Sequence, residues 1–370
     1  MTQEELAAIA SGFELQGKIN EIKPLGNGLI NDTYRIRTEG EGCDYVLQRI
    51  NNNVFKDVGL LQSNIEAVTR HIRLKLETAG ETDIDRKVLS FVKTKENDRT
   101  YSFDGSNYWR ISLFIPNAVS YEAVTPELSY FAGKAFGDFE AKLVDIPEKL
   151  GETIPDFHNM ELRISQFADA LEKDRVGRVK EGLQAKDGEI RKIIDLISDN
   201  AELMCSAEKL HREGKLAKRI CHCDTKVNNM LFDEKGNVLC VIDLDTVMPS
   251  FIFSDFGDFL RTAANTAAED EPDTDKINFN MEVFKSFTKG YLESTKSFLT
   301  PMEKERLPYA AMLFPYMQAV RFFTDYVNGD TYYKTRYPDH NLVRTKAQIK
   351  LFLSAQSHVE DMREAIAESK

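Results

Sequence analysis

A carboxylate and a carboxamide five positions apart are the residues most able to do chemistry in this chain. Asp224 and Asn229 lie in the run Cys221-His222-Cys223-Asp224-Thr225-Lys226-Val227-Asn228-Asn229. Apolar Met230-Leu231-Phe232 follows, and Asp233-Glu234-Lys235-Gly236 is a turn signal. Val238 to Ile242 then reads as a strand, rich in apolar and β-branched residues, with Asp243 and Asp245 at its end. A hairpin folded about that turn returns Asp243 toward the Asp224–Asn229 loop. An Asp five positions before an Asn, then a strand-end Asp, is the spacing that phosphoryl transfer uses for a proton acceptor and two metal-holding groups. Hard oxygen donors of this kind suit Mg²⁺ carrying phosphates. Any one of these acids alone would be an ordinary surface residue; the combined pattern is what points to chemistry. Cys221-His222-Cys223 lacks the fourth ligand and the spacing of a zinc site.

Such a site needs elements to hold it. Residues 3 to 10 are compatible with a short helix, and Ile19 to Pro24 reads as a strand. Leu25-Gly26-Asn27-Gly28-Leu29-Ile30-Asn31-Asp32 follows. Gly26 and Gly28 let backbone amides approach phosphate, and Asn31 closes the loop. Thr33 to Thr38 and Asp44 to Ile50 alternate as strands. The third of these carries no Lys for the phosphates. Arg49 is the stand-in and Gln48 its competitor, and alternation allows only one of them to face the ligand. Glu66, on a helix from about Val58 to Ala79, is the candidate partner of Arg49, although a solvated helix Glu would look the same. Val88 to Lys93 and Tyr108 to Phe114 read as two further strands. The tract Ser112 to Pro116 is expected to link the two parts of the chain and to contact a base.

From Thr125 onward the pattern is helical. Pro126 sits at a helix start, and Leu128, Phe131, Ala132, Ala135, Phe136, Phe139 and Leu143 form one apolar face. Helices are predicted near 159–171, 188–210, 279–298, 301–327 and 343–367, with Pro308 and Pro315 implying kinks. Lys173 to Lys186 is charged and Gly-interrupted, which reads as a surface connection. The expected architecture is α+β with two lobes: a small β-rich lobe over residues 1–114 and a large, mainly helical lobe over residues 115–370.

The chain has 370 residues, 42% of them hydrophobic, enough for one large core or two moderate ones. Its formal charge of -12 gives no electrostatic case for nucleic acid or an anionic membrane as partner. The five cysteines are odd in number and irregularly spaced, unlike a disulfide framework. There is no signal-like opening and no run of 18 apolar residues, so a cytoplasmic location is expected.

The strings LGNGLINDTYRI (25–36), VLQRINNNVF (46–55), DTKVNNMLFD (224–233), VIDLDTVMP (241–249), DFGDFLR (255–261) and RFFTDYVNGDTYY (321–333) resemble the aminoglycoside phosphotransferase and choline kinase superfamily, most closely its N-acetylhexosamine 1-kinases. The resemblance implies a protein-kinase-like fold. It also implies ATP and Mg²⁺ as cofactors and transfer to the anomeric hydroxyl of GlcNAc or GalNAc. Asp224 would be the base, Asn229 and Asp243 the metal groups, and Gly26, Gly28, Asn31, Arg49 and Glu66 the nucleotide-side residues. His222 would brace the catalytic loop and Asp255 would tie its backbone. Asp255-Phe256-Gly257 then only mimics the metal-binding triplet of protein kinases. Arg321 and Tyr332 would meet the sugar, with Asp258 and Arg261 bordering its pocket. Asp245, two residues past Asp243 and on the same strand face by alternation, would lie toward the acceptor. The competing readings are a kinase of choline, homoserine, methylthioribose or an aminoglycoside, and a catalytically silent nucleotide-binding protein.

Overall fold

A computed structural model describes residues 1–26, 30–40, 42–121 and 124–369. In chain order its elements are α1 (Gln3–Ala10), β1 (Ile19–Pro24), β2 (Asp32–Thr38), β3 (Tyr45–Ile50), α2 (Val58–Thr78), β4 (Tyr101–Phe103) and β5 (Tyr108–Leu113). There follow α3 (Pro126–Leu143), α4 (Met160–Lys173), α5 (Arg178–Gln184), α6 (Glu189–Met204), α7 (Ser206–Arg212), β6 (Arg219–Cys221), β7 (Met230–Phe232), β8 (Val238–Val241) and β9 (Met248–Ser250). The helices α8 (Phe253–Ala263), α9 (Met281–Thr295), α10 (Pro301–Glu305), α11 (Leu307–Val327), α12 (His340–Ser357) and α13 (Val359–Glu368) complete the chain. The architecture is kinase-like: a small antiparallel sheet toward the N-terminus and a largely helical remainder.

The chain forms two compact units. The first comprises Met1–Ser120, Lys142–Pro155 and Asn229–Met248. Its sheet is antiparallel in the order β1-β2-β3-β5-β4. Leu6, Ala10 and Phe13, from α1 and the turn after it, pack on one sheet face with Ile22, Ile36, Tyr45, Leu47, Trp109 and Ile111. Alternation therefore turns Gln48 and Arg110, which are directly paired across β3 and β5, to the other face. Asp57 caps α2, its carboxylate accepting from the Leu60 amide at 2.9 Å. The β7–β8 hairpin belongs to this unit, with Met230 opposite Val241. Its turn is held by Asp233, whose Oδ1 accepts from the amides of Lys235 and Asn237, both at 2.8 Å.

The second unit comprises Tyr121–Ala141, Asp156–Asn228 and Pro249–Lys370. Its core is aromatic: Phe259 stacks on Phe287 at 4.2 Å between centroids, and Phe256 meets Tyr291 edge-on. Helices α3 and α9 cross at Gly133 and Gly290. A Cβ on Gly133 would stand 2.1 Å from the Phe287 carbonyl oxygen, and one on Gly290 would stand 2.1 Å from that of Tyr130. Only glycine permits this backbone-to-backbone approach.

Several element expectations change. Val88–Lys93 forms no strand, and only Phe91 makes an isolated bridge, to Ser112; the short edge strand is β4 instead. The charged run 173–186 contains the helix α5, anchored by Arg178, whose Nη1 donates to the Tyr326 carbonyl at 2.6 Å and pairs with Asp330 at 2.7 Å. The stretch 301–327 breaks at Arg306 into α10 and α11. Pro315 is accommodated inside α11, and Pro308 lies in its first turn, where a missing N–H costs nothing.

Candidate functional site

In the second unit the chain after β6 makes a tight loop around Asp255. The amides of His222 and Cys223 donate to Asp255 Oδ2 and Oδ1 at 2.8 and 2.7 Å, and Thr225 Oγ1 donates to the Asp255 carbonyl at 2.7 Å. Cys223 takes a left-handed φ of 63°, which reverses the chain before Asp224. The Asp224 amide bonds His222 Nδ1 at 3.3 Å, and the buried imidazole meets Phe136 and Phe139 of α3 edge-on. Asp255 is fully buried, and burial raises its carboxyl above the ordinary range despite the opposing pull of His222 and the two amides. Beneath it lies Glu140 of α3, also buried. Burial, with the charge of Asp255 beside it, pushes Glu140 far up, and Tyr291 donates to it at 2.5 Å. Glu140 is therefore a protonated acid within reach of the Asp255 carboxylate. The neighbouring thiols of Cys221 and Cys223 are raised by burial and stay protonated.

Asp224 itself is half-buried and paired with Lys226 Nζ at 2.6 Å. Burial pulls the Lys226 ammonium down, but the carboxylates of Asp224 and Asp258 outweigh it and hold it above the ordinary lysine value. Asp258 accepts from the Thr225 amide at 3.2 Å and pairs with Arg261 at 3.4 Å; Arg261 also reaches Glu269 at 2.8 Å. Burial raises Asp258, Arg261 opposes, and the charge of Asp224 adds to the rise. The structure thus gathers Asp224, Lys226, Asp258 and Arg261 into one alternating set of charges. Lys226 was not singled out from the sequence, although its place two residues after Asp224 was the available signal.

A second group in this unit surrounds Arg321 on α11. Its guanidinium lies 5.6 Å from the ring centre of Tyr333 and 5.9 Å from that of Phe157, and Nη1 donates to Gln318 at 3.2 Å. Gln318 in turn donates to the Tyr333 hydroxyl at 3.3 Å. Arg163 donates to the Phe157 carbonyl at 2.7 Å and to Gln166 at 3.0 Å. His158 bonds Ser254 at 3.0 Å; burial, then the charges of Arg321, Arg163 and Arg261, hold it well below its ordinary value and so neutral. Tyr332 is 73% exposed, and its ring meets Tyr333 edge-on, so Tyr333 is the tyrosine that shares the surroundings of Arg321. Among the described residues neither Arg163 nor Arg321 has a carboxylate within ion-pair distance.

In the first unit Asn229 and Asp243 sit at the open end of the hairpin. The Ile242 amide donates to the Asn229 carbonyl at 2.9 Å, which brings the two positions together. Asp243 is exposed and left-handed, with φ 60° and ψ 56°, and a 3₁₀ turn over Leu244–Thr246 follows at once. The strand has ended by then, so the alternation expected to give Asp243 and Asp245 a common face does not apply. Asp245 is instead buried. It pairs with Arg110 Nη2 at 2.5 Å and accepts from Asn31 Nδ2 at 2.5 Å. An amide oxygen and a carboxylate at the hairpin end form a hard-oxygen set that fits Mg²⁺.

On the nucleotide side, Gly26 has φ 70°, a left-handed backbone. Gly28 lies outside the described residues. Arg49 pairs with Asp32 and reaches Asn107 at 3.5 Å, on the face opposite Gln48. Glu66 accepts from Thr100, so the expected Arg49–Glu66 pair is not the contact either residue makes. Gln48 donates to Thr33 at 3.3 Å and accepts from Arg110 Nε at 2.9 Å. Arg110 was not visible as a functional residue in the sequence, because its partners lie more than sixty positions away.

A two-unit kinase-like fold with a loop of this composition and hairpin defines a phosphotransferase architecture. The chain matches the phosphotransferase enzyme family over residues 21–280 and belongs to it. Solved structures agree in fold. An aminoglycoside phosphotransferase from Alicyclobacillus acidocaldarius is 14% identical with a TM-score of 0.62, over 98% of this chain and 96% of that one. A choline kinase from Cryptosporidium parvum is 14% identical with a TM-score of 0.57, over 97% of each chain. A spectinomycin phosphotransferase, in complex with ADP and spectinomycin, is 12% identical with a TM-score of 0.55, over 97% of this chain and 99% of that one. Among the described residues no helix is long and apolar enough to cross a membrane.

Proposed function

We propose that this phosphotransferase moves the γ-phosphoryl group of ATP to the anomeric hydroxyl of an N-acetylhexosamine, GlcNAc or GalNAc, giving the 1-phosphate. Asp224 accepts the hydroxyl proton and aligns the attacking oxygen. Lys226, held cationic beside it, offsets charge on the transferring group. Asn229 and Asp243 hold Mg²⁺, which when bound neutralises phosphate charge. Gly26 and Asn31 serve the nucleotide side. Such sites work mainly by positioning and electrostatics.

The observation that carries the choice of acceptor is the group around Arg321. Two arginines with no carboxylate at ion-pair distance among the described residues, a tyrosine, a phenylalanine and an amide offer donors and flat apolar faces, which suit a neutral polyol. The same positive charges disfavour a cationic acceptor such as choline or an aminoglycoside, which needs anionic or aromatic enclosure. They favour one alternative, an acceptor with its own carboxylate such as homoserine.

Phosphate transfer from Mg²⁺-ATP measured against GlcNAc, GalNAc, choline, an aminoglycoside, homoserine and methylthioribose tests the reading. The hexosamines are expected to give the highest kcat/KM. Arg321→Ala should raise the hexosamine KM roughly five-fold or more, the loss of a buried polar contact, and leave the ATP KM within about two-fold. Preferred turnover of choline, or an Arg321→Ala variant with unchanged hexosamine kinetics, removes the assignment. Binding of Mg²⁺-ATP with turnover of no acceptor points to a silent nucleotide-binding protein.

A further inference from the structure

We propose that Arg110 and Asp245 are positioning residues that set Asp243 in place, and that Asp245 itself touches neither metal nor acceptor. This rests on Asp243 being a metal-holding carboxylate, as in the function proposed above.

The argument starts from burial. The Arg110 and Asp245 side chains are 3% and 4% exposed and 2.5 Å apart. An ion pair so enclosed is costly to desolvate and persists where geometry and further hydrogen bonds compensate. The compensation is incomplete at Arg110 Nη1 and Asp245 Oδ1, which have no hydrogen bond among the described residues, but the rest of the pair is held. Asp245 Oδ2 accepts from Asn31, and Arg110 Nε is held by Gln48. The Asp245 carbonyl accepts from Thr153 Oγ1 at 2.9 Å. Two residues on, the Val247 carbonyl accepts from Asn64 of α2 at 3.0 Å, and Asn64 also holds Gly151 at 2.8 Å. The 3₁₀ turn after Asp243 is therefore fixed to β3, β5, α2 and the segment before Thr153.

Asp243 is the residue immediately before this turn, and its backbone is left-handed, a conformation that Asp adopts more readily than most non-glycine residues. The anchored turn fixes where that backbone, and the carboxylate it carries, is held. Asn31 extends the coupling: its Oδ1 accepts from the Asn51 amide at 2.9 Å while its Nδ2 holds Asp245. The end of the glycine-containing loop and the acidic turn thus share one carboxylate. Asp245 Oδ2 accepts from Asn31, and Oδ1 has the Arg110 ion pair but no hydrogen bond of its own among the described residues, so a metal or sugar would have to break that ion pair to use it. Gln48, the competitor of Arg49 for the ligand-facing position, accepts instead from Arg110 Nε and helps to orient it.

The experiment measures ADP affinity by calorimetry, with Mg²⁺ and with EDTA. The proteins are the parent, Asp243→Ala, Arg110→Gln and the double variant Asp245→Asn with Arg110→Gln. The double variant removes both charges together, so no ion is left buried without a partner, and its folding is checked by melting and by ADP binding in EDTA. Asp243→Ala should abolish the Mg²⁺ dependence. Arg110→Gln and the double variant should keep ADP affinity in EDTA within about two-fold and weaken the Mg²⁺-dependent component roughly ten-fold or more, the range typical of groups that orient metal ligands. Arg110 tells positioning from ligation: if Asp245 were a ligand, Arg110→Gln would free its carboxylate and strengthen Mg²⁺ binding. Unchanged or stronger Mg²⁺ dependence in Arg110→Gln, with Asp243→Ala still inactive toward the metal, overturns this proposal alone. An Asp243→Ala protein with parental Mg²⁺ dependence removes the metal role of Asp243 and the proposal with it.

Discussion

Asp224 stands between charges of opposite sign. Lys226 touches its carboxylate at 2.6 Å, while on the other side its charge adds to the rise of Asp258. The proposed function makes the Asp224 carboxylate the proton acceptor. Asp224→Asn keeps size and hydrogen-bonding capacity and removes the acceptor. Turnover is expected to fall by about 10² to 10⁴-fold, the usual worth of general-base help, with Mg²⁺-ADP affinity within about two-fold of the parent. Single-turnover kinetics beside equilibrium titration separate the two quantities. Turnover near the parental rate across a pH series would assign the proton to another group.

The elements that hold Asp224 depend on an acid that does no chemistry with substrate. Glu140 on α3 keeps a proton because burial and Asp255 oppose its charge. In the unfolded chain it ionises at an ordinary glutamate value, so between that value and its raised folded value the native state holds the extra proton. Stability from Glu140 is full at acidic pH and is lost as pH climbs through this window. Glu140→Gln resembles the protonated acid and removes the titration. Its Tm relative to the parent should rise as the pH climbs above the ordinary glutamate range; a pH-independent difference means that Glu140 is not held protonated. This role was not legible beforehand, since Glu140 is one of three acids on an amphipathic helix. What could be read locally was the hairpin around Asp233, from its turn and apolar strands, and the apolar face of α3, from its period. Val88–Lys93 was misread because an apolar run has the composition of a strand whether or not a neighbour supplies a ladder. Arg110, Asn64 and Thr153 were illegible for a related reason: their meaning lies in partners more than sixty positions away, and one sequence carries no record of those pairings.

At the scale of the whole molecule the formal charge is -12, from 48 basic and 60 acidic residues. The field of such a chain opposes an approaching nucleotide at long range and acts weakly on a neutral sugar. Salt shortens its reach to about 10 Å at 0.1 M ionic strength. The basic group around Arg321 acts within that distance and is screened far less, so it decides contact and not approach. Two opposite expectations follow from one charge count. With free Mg²⁺ held constant, nucleotide association should quicken as ionic strength rises from about 0.02 M to about 0.2 M, because repulsion is screened. The KM of a neutral hexosamine should stay flat over the same range, since no net charge on the acceptor couples to the field. A cationic acceptor would feel the global attraction fade, and a carboxylate-bearing one would feel the repulsion fade, so either would show a slope. Stopped-flow nucleotide binding together with steady-state acceptor kinetics reads both quantities on the same protein. A sloped acceptor KM beside the expected nucleotide trend would mean that the acceptor carries charge, and it would count against the hexosamine while leaving the phosphotransferase intact.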